Sequence, residues 1–170
     1  VGQGTTPATT RLWVRSLDQL RATPLAGTEN AGNPSFSPDG KRIAFTTVSP
    51  RAVRTVAIAG GPVLTVTDSL VDLGGVSWAD DGYIYYDGHL AGDGVARVRE
   101  TGGGAKPEVV SMPDTAAAET FHNMPFALPN GRGVIFSAAH GGAAATTEVV
   151  VLDAKTGKQK SLVHGVMGRY

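Results

Sequence analysis

Four histidines, at positions 89, 122, 140 and 164, are the side chains of this 170-residue sequence with the clearest chemical potential. No two of them lie within four residues of each other, so a metal site built from neighbouring histidines is not indicated. The motifs G-x-S-x-G, H-E-x-x-H and G-x-x-x-x-G-K-[ST] are also missing from the sequence. No spacing pairs a serine nucleophile with a histidine base. We therefore predict no catalytic residues and no cofactor.

Aspartates that precede glycines offer a second chemical interpretation, because carboxylate oxygens are the ligands that Ca²⁺ prefers. Asp39 stands directly before Gly40, and Asp80 and Asp81 stand before Gly82. A calcium cage needs three or more converging acids, whereas Asp-Gly and Asn-Gly pairs are typical of tight hairpins. We interpret these aspartates as turn residues and predict no metal site.

Composition excludes further classes of function. Fifteen Lys and Arg balance fifteen Asp and Glu, so the sequence lacks the basic surplus that nucleic-acid binding requires. It has no cysteine and therefore no disulfide. No apolar run is long enough to span a bilayer. From the balanced charge we predict no nucleic-acid partner, and from the short apolar runs we predict no membrane insertion of this segment.

An internal repeat organises the chain. Three segments align without gaps on a turn glycine: residues 34–40, 76–82 and 125–131. The three glycines are 42 and 49 residues apart, a period typical of β-propeller blades. The turn residues shared by the repeats are Asp39, Gly40, Asp81, Gly82, Asn130 and Gly131. A short β-rich run precedes each turn and three follow it, which predicts four antiparallel strands per repeat.

The predicted fold is therefore an all-β partial propeller with about three and a half blades. Residues 1–10 are predicted to be disordered or a linker, and residues 11–170 to form the blades. The blade boundaries are a partial blade at 11–28, repeats at about 29–68, 71–113 and 119–164, and the start of a further blade at 165–170. One helical turn at most is expected between Asp114 and Thr120.

The first repeat reads Phe36-Ser37-Pro38-Asp39-Gly40, continues into Ile43-Ala44-Phe45, and later contains Ala59-Gly60-Gly61-Pro62. This pattern resembles the TolB-type propeller repeat over residues 11–170. The combination of segments 12–17, 59–62 and 151–153 resembles in particular the propellers that follow the kinase domain of bacterial serine/threonine kinases. The resemblance implies a noncatalytic sensor or interaction module, extracytoplasmic or periplasmic, that binds a protein, peptide or small ligand. The alternative that it leaves open is a substrate-gating propeller of a hydrolase or peptidase.

Polar residues that precede the innermost strands are the candidate ligand-binding positions, since these strands line the central channel of a propeller. They are Glu29, Asn30, Asn33, Asp72, Glu119, His122 and Asn123. Most of seven aromatic residues recur at matching repeat positions beside apolar neighbours, and we therefore expect the group to pack between blades rather than to form a stacking platform for a ligand. These are Trp13, Phe36, Phe45, Trp78, Tyr85, Phe126 and Phe136.

An open array of blades exposes two unpaired edges, which attract other strands. We therefore expect a homodimer that closes a ring of about seven or eight blades. In that ring the N-terminal strands of each chain meet the C-terminal strand of the other. The rival interpretation is that the 170 residues are a fragment of a longer chain that closes alone.

Overall fold

The computed structural model describes residues 10–68, 70, 74–88, 94–102, 105–141 and 146–169. Fourteen β-strands occur in these ranges, together with two short 3₁₀ turns at Thr115–Ala117 and Pro129–Gly131. The strands form one two-stranded and three four-stranded sheets, all antiparallel. The prediction of an all-β partial propeller is confirmed.

The four sheets follow one another along the chain, and we name them blades A to D. Blade A holds β1 (Trp13–Val14) and β2 (Thr23–Pro24). Blade B holds β3 (Ala31–Phe36), β4 (Arg42–Val48), β5 (Arg51–Ala57) and β6 (Leu64–Thr67). Blade C holds β7 (Val76–Trp78), β8 (Tyr83–Asp87), β9 (Val95–Arg99) and β10 (Glu108–Val109). Blade D holds β11 (Glu119–Ala127), β12 (Gly133–His140), β13 (Thr146–Asp153) and β14 (Gln159–His164).

The second strand of each complete blade is buried on both faces: blades B and C each stack between two others, and blade D has blade C on one face and the C-terminal segment around Gly168 on the other. In β12 every residue from Gly133 to Ala139 is buried, and in β4 the same holds from Ile43 to Thr47. Alternate residues of one strand therefore face opposite neighbours. The sequences of these strands are therefore mostly apolar or small, with Thr46, Thr47 and Ser137 as buried polar residues, and do not alternate between apolar and polar residues.

Three apolar cores lie between successive blades. Leu12 and Leu25 of blade A pack on Ile43, Phe45 and Val56 of blade B. The core between blades B and C includes Ala44, Val53, Ile84, Tyr86 and Trp78, and the core between C and D includes Tyr85, Val95, Val134, Phe136 and Leu152. Fully burying a Val, Leu, Ile or Phe side chain contributes roughly 1.5–3 kcal/mol to the free energy of unfolding, so packing between blades is the main source of stability.

The expectation that all seven aromatic residues pack between blades is only partly correct. Phe45, Trp78, Tyr85 and Phe136 are buried, and Phe126 is half-buried. Trp13 and Phe36, in contrast, are more than half exposed. The exposure of these two residues has a physical cause. Trp13 lies in blade A and Phe36 in the neighbouring blade B, and the two described strands of blade A are too few to cover either side chain.

The hairpins that join the first and second strands use the aspartates as the repeat suggests. Asp39 Oδ1 accepts a hydrogen bond from the backbone N–H of Lys41, and Asp81 Oδ1 accepts one from Tyr83, both at 3.0 Å. Gly40 and Gly82 follow with φ of 68° and 80°, a left-handed conformation that glycine adopts without strain. The Ser37 hydroxyl that donates to Asp39 is the main cause that lowers the pKa of this carboxyl.

The third hairpin differs from the first two. Asn130 and Gly131 are both left-handed, with φ of 60° and 62°, within the 3₁₀ turn at Pro129–Gly131. The backbone N–H of Asn130 donates to Asp80 Oδ2 of the preceding hairpin at 2.8 Å. Asp80 therefore links the loops of blades C and D.

Candidate functional site

The inner strands of blades B and D each contain a bulge at the same place. In β3 the register shifts between Gly32 and Ser35, and in β11 it shifts between Asn123 and Phe126. The residues Asn33 and Met124 at these bulges have φ of 49° and 54°. A bulge bends the strand and redirects its side chains, so it determines what faces the centre of the array.

Asp87, at the end of β8, fixes the bulge of blade D. It is 3% exposed, and its Oδ1 accepts hydrogen bonds from the backbone N–H groups of Gly74 at 2.6 Å and Gly75 at 2.9 Å. Its Oδ2 accepts from the N–H of Met124 at 2.9 Å. One buried carboxylate thus joins the entry of blade C to the inner strand of blade D.

Two serines make the same kind of contact between inner strands. The backbone N–H of Trp78 donates to Ser35 Oγ at 2.9 Å, and the N–H of Ala127 donates to Ser77 Oγ at 3.0 Å. Ser35 and Ser77 occupy the same position of the aligned repeat, as do Trp78 and Ala127. Each serine therefore satisfies an N–H on the free edge of the next blade's inner strand.

These contacts hold three inner strands around a cavity of about 590 Å³. Its lining residues share a position on or beside an inner strand, or belong to the C-terminal segment; they are Asn33–Phe36, Gly74–Ser77, Met124–Phe126 and Met167–Arg169. Arg169 is the only charged side chain among the described lining residues. Apolar and backbone groups surrounding one cation favour a ligand with apolar surface and an anionic group.

Of the residues predicted to form a polar ring, Asn33 lies at this cavity, where its Nδ2 contacts Thr46 Oγ1 at 3.3 Å. Glu29 is exposed and forms an ion pair with Arg11 at 2.6 Å. Asn30 and Asn123 are half-buried and do not line the cavity. Asp72 lies outside the described residues. The ligand-binding role of these residues stays a prediction.

His122 and Glu119 lie in a buried joint between blades C and D. His122 is 1% exposed, and its Nδ1 lies 2.9 Å from Ser111 Oγ while its Nε2 lies 3.0 Å from Glu119 Oε2. Ser111 Oγ also accepts the backbone N–H of Val95 at 3.2 Å. An ionised Glu119 carboxylate can only accept, so Nε2 carries the ring proton and donates to it; in the neutral ring, Nδ1 then accepts from the Ser111 hydroxyl.

This Ser–His–Glu chain resembles a catalytic triad in composition, but it cannot act as one in this state. Ser111 and His122 are buried, at 4% and 1% exposure, so no substrate carbonyl reaches the hydroxyl. The ring packs on Phe136 with centroids 4.5 Å apart. Burial lowers the pKa of His122, and the hydrogen bond to Glu119 opposes that shift. We conclude that Ser111, His122 and Glu119 form a structural joint between blades C and D.

No group of three or more acidic or histidine side chains that could hold a metal ion occurs among the described residues. Within the same ranges, no helix has the length and apolar character needed to cross a membrane.

Sequence reasoning missed the residues that assemble the cavity. Ser35 and Ser77 recur at one position of the aligned repeat, and that recurrence was the available signal. Asp87 follows an apolar strand and gives no local signal, because its three donors come from distant positions.

Comparison with known proteins supports the fold. No family model matches the sequence, and no curated protein is significantly similar to it. TolB from Acinetobacter baumannii superposes with a TM-score of 0.69 at 17% identity, over 92% of this chain and 38% of that structure. A candidate TolB of Agrobacterium tumefaciens gives 0.68 at 20% identity, over 84% and 52%.

A more distant match is the acylaminoacyl peptidase of Pyrococcus horikoshii, with a TM-score of 0.51 and 14% identity over 91% of this chain and 28% of that structure. The chain spans about half or less of the length of these structures. The described part of the chain has the blade architecture of a TolB-like β-propeller.

Proposed function

We propose that the chain is a noncatalytic interaction module that binds a peptide segment of a partner protein in the central cavity. The observation that carries this proposal is the cavity itself, which three inner strands and residues 167–169 line together. A volume of about 590 Å³ lies within the range of pockets that enclose small ligands or several side chains.

The lining determines the chemistry of the ligand. Pro34, Met124 and Pro125 supply apolar surface, Asn33 supplies an amide, and Arg169 supplies one positive charge. A guanidinium binds a carboxylate through two parallel hydrogen bonds, so the favoured ligand is an extended apolar segment with an acidic group. A small anionic ligand is the other outcome that the experiment below distinguishes.

The proposed location is extracytoplasmic, and the proposed role is that of a sensor or scaffold. The support is the likeness of the fold to TolB, together with the resemblance of the sequence to the propellers of bacterial receptor kinases. The second candidate is a gating propeller of a hydrolase, which the likeness to the peptidase structure favours. Neighbouring coding sequence discriminates between them: a kinase domain with a membrane helix supports the first, and an α/β-hydrolase domain supports the second.

Selection from a random peptide library displayed on phage tests the binding function. We expect the immobilised chain to enrich acidic apolar peptides and Arg169→Glu to abolish their binding. Lys155→Glu is the matched control, because Lys155 is an exposed cation in the turn after β13. Enriched peptides that bind wild type and Arg169→Glu equally would contradict the proposal. Failure to enrich any peptide, with binding of a small carboxylate by calorimetry, would replace the peptide with a small ligand.

A further inference from the structure

A second cavity lies between blades C and D, beside the turn that follows β13. Its volume is about 170 Å³, and we call it the C–D slot. Tyr85 and Val110 of blade C and Val134, Leu152 and Ala154 of blade D define its walls. Both blades contain four strands, so the slot lies between two complete sheets in the middle of the described chain.

The slot exists because Ala154 is small. Ile58 follows directly after β5 and Ala154 directly after β13, the third strands of blades B and D. Ile58 packs on the apolar core between blades A and B. Alanine at the equivalent position of blade D has no atoms beyond Cβ, so the space that an isoleucine occupies in blade B is left open.

The turn that carries Ala154 also leaves the entrance of the slot open. In blade C the corresponding turn lies against blade B, because a Cβ on Gly102 would come within 3.2 Å of the Thr65 carbonyl oxygen. In blade D the turn contains Gly157, which lines the slot. A Cβ there would meet no described atom of a neighbouring strand within 4 Å. A side chain from outside can therefore enter between this turn and blade C.

The polar side chains around the slot pair with one another. Arg97 contacts Glu108 Oε2 through Nε at 2.9 Å and through Nη2 at 2.8 Å. Arg97 Nη1 donates to the Tyr85 hydroxyl at 3.3 Å, and that hydroxyl donates to Asp81 Oδ2 at 2.9 Å. A charged ligand gains little from charges that are already compensated. Because the rest of the lining is apolar, the slot favours a neutral apolar group.

Strand β10 gives the slot an open edge for pairing with another strand. It is the outermost strand of blade C, and Val109 lines the slot. The backbone N–H of Val110 donates to the carbonyl of Val95 in β9 at 2.8 Å. Neighbouring residues of a strand direct their N–H groups to opposite sides, so the N–H of Val109 points to the open edge. An extended peptide can add to such an edge while its side chains enter adjacent pockets.

We propose that the C–D slot binds a neutral, extended peptide segment of a partner protein through one aromatic side chain. The ring enters the slot, and the backbone of the segment pairs with Val109. The volume supports an aromatic group, because an apolar cavity of about 150 Å³ accommodates benzene. The described lining residues of the slot and of the central cavity are different, so this site is independent of the function proposed for that cavity.

NMR of the methyl-labelled chain, titrated with the peptide acetyl-Thr-Phe-Thr-amide, tests the proposal. We expect the methyl signals of Val110, Val134 and Leu152 to shift and to saturate, because the phenyl ring lies against them. The amide of Val109 should exchange more slowly in the complex. The peptide acetyl-Thr-Ala-Thr-amide lacks the ring and should bind roughly tenfold or more weakly.

Ala154→Ile gives blade D the side chain that blade B has at the equivalent position, and it should abolish the shifts by filling the slot. Because Ala154 is exposed, unchanged circular dichroism is expected. Ala59→Ile is the matched control, since Ala59 is an exposed alanine in the corresponding turn of blade B, and it should bind like wild type.

Three results would overturn the proposed site. They are wild-type methyl signals that do not shift, equal binding of the two peptides, and unchanged binding to Ala154→Ile. Shifts confined to the methyl group of Met124 would place the peptide in the central cavity and would also overturn it. Binding without slower exchange at Val109 would overturn the strand pairing. If Ala154→Ile fails to fold, the comparison of the two peptides on the wild-type chain still decides.

Discussion

Replacing Asp87 by alanine tests whether one carboxylate holds blades C and D together. The substitution removes the acceptor for the backbone N–H groups of Gly74, Gly75 and Met124. These donors come from two blades, and Asp87 itself is buried at 3% exposure. Water has little access to replace the lost carboxylate oxygens.

The expected loss follows from the number and kind of hydrogen bonds. A hydrogen bond to a charged group contributes about 1.5–3 kcal/mol, and a buried donor left without a partner costs about 1–3 kcal/mol. The three bonds share one carboxylate and do not add fully, and Gly74 is only half-buried, so we expect a loss of about 3–5 kcal/mol. Domains of this kind are stable by about 5–15 kcal/mol, so the variant folds but is strongly weakened.

Urea unfolding followed by circular dichroism at neutral pH measures this loss. With a slope of about 2 kcal/mol/M, the midpoint of Asp87→Ala should fall by about 1.5–2.5 M. Asp87→Asn keeps one acceptor oxygen and should fall between wild type and alanine. Asp39→Ala is the control, because Asp39 is an exposed turn residue and should change the midpoint much less. An Asp87→Ala midpoint equal to that of Asp39→Ala would refute the role assigned to Asp87.

Trp78→Ala should destabilise the chain by about 3–5 kcal/mol, because it empties a buried aromatic site. Phe36→Ala, at the equivalent but exposed position of the first repeat, should cost far less, and paired urea unfolding curves check both. Burial lowers the pKa of His122 in the folded state, so as pH falls the unfolded chain takes up the imidazole proton before the folded chain does. The contribution of His122 to the free energy of unfolding should therefore be fully present above about pH 6.5 and decline as pH falls below that value. His122→Gln should flatten that decline, and His164→Gln, on an exposed side chain, should not; a pH series of urea midpoints decides. Gly133→Ala should weaken or prevent folding, since its Cβ would lie 1.9 Å from a backbone carbonyl oxygen of β13; a melting temperature within 2–4 °C of wild type, the shift of roughly 1 kcal/mol, would contradict this clash.

The blades could be predicted from sequence because their signals are local. An Asp-Gly or Asn-Gly pair after a short apolar run fixes a hairpin wherever it occurs, and Gly40 and Gly82 both adopt the left-handed conformation that their position suggests. The period of these turns then gives the number of blades.

The predicted polar ring was less accessible to sequence, because the direction of a side chain depends on long-range contacts. His122 stands close to an inner strand, yet bulges in β11 on either side of it alter the strand's register, and the ring enters the joint with Ser111. The position of the bulge at Met124 depends on the hydrogen bond that its backbone N–H donates to Asp87, thirty-seven residues earlier in the chain. A hydrogen bond between residues so far apart leaves no local pattern in the sequence.

The central structural claim is that each inner strand is fixed to the next blade through its free edge. Hydrogen–deuterium exchange of the amides of Trp78 and Ala127, followed by NMR, tests it most directly, since both N–H groups point away from their own sheet and donate to Ser35 and Ser77. The account predicts exchange as slow as that of the buried amides within β8 and β12, and faster exchange at Trp78 in Ser35→Ala. Rapid exchange of both amides in the wild-type chain, as in an unpaired edge strand, would contradict it.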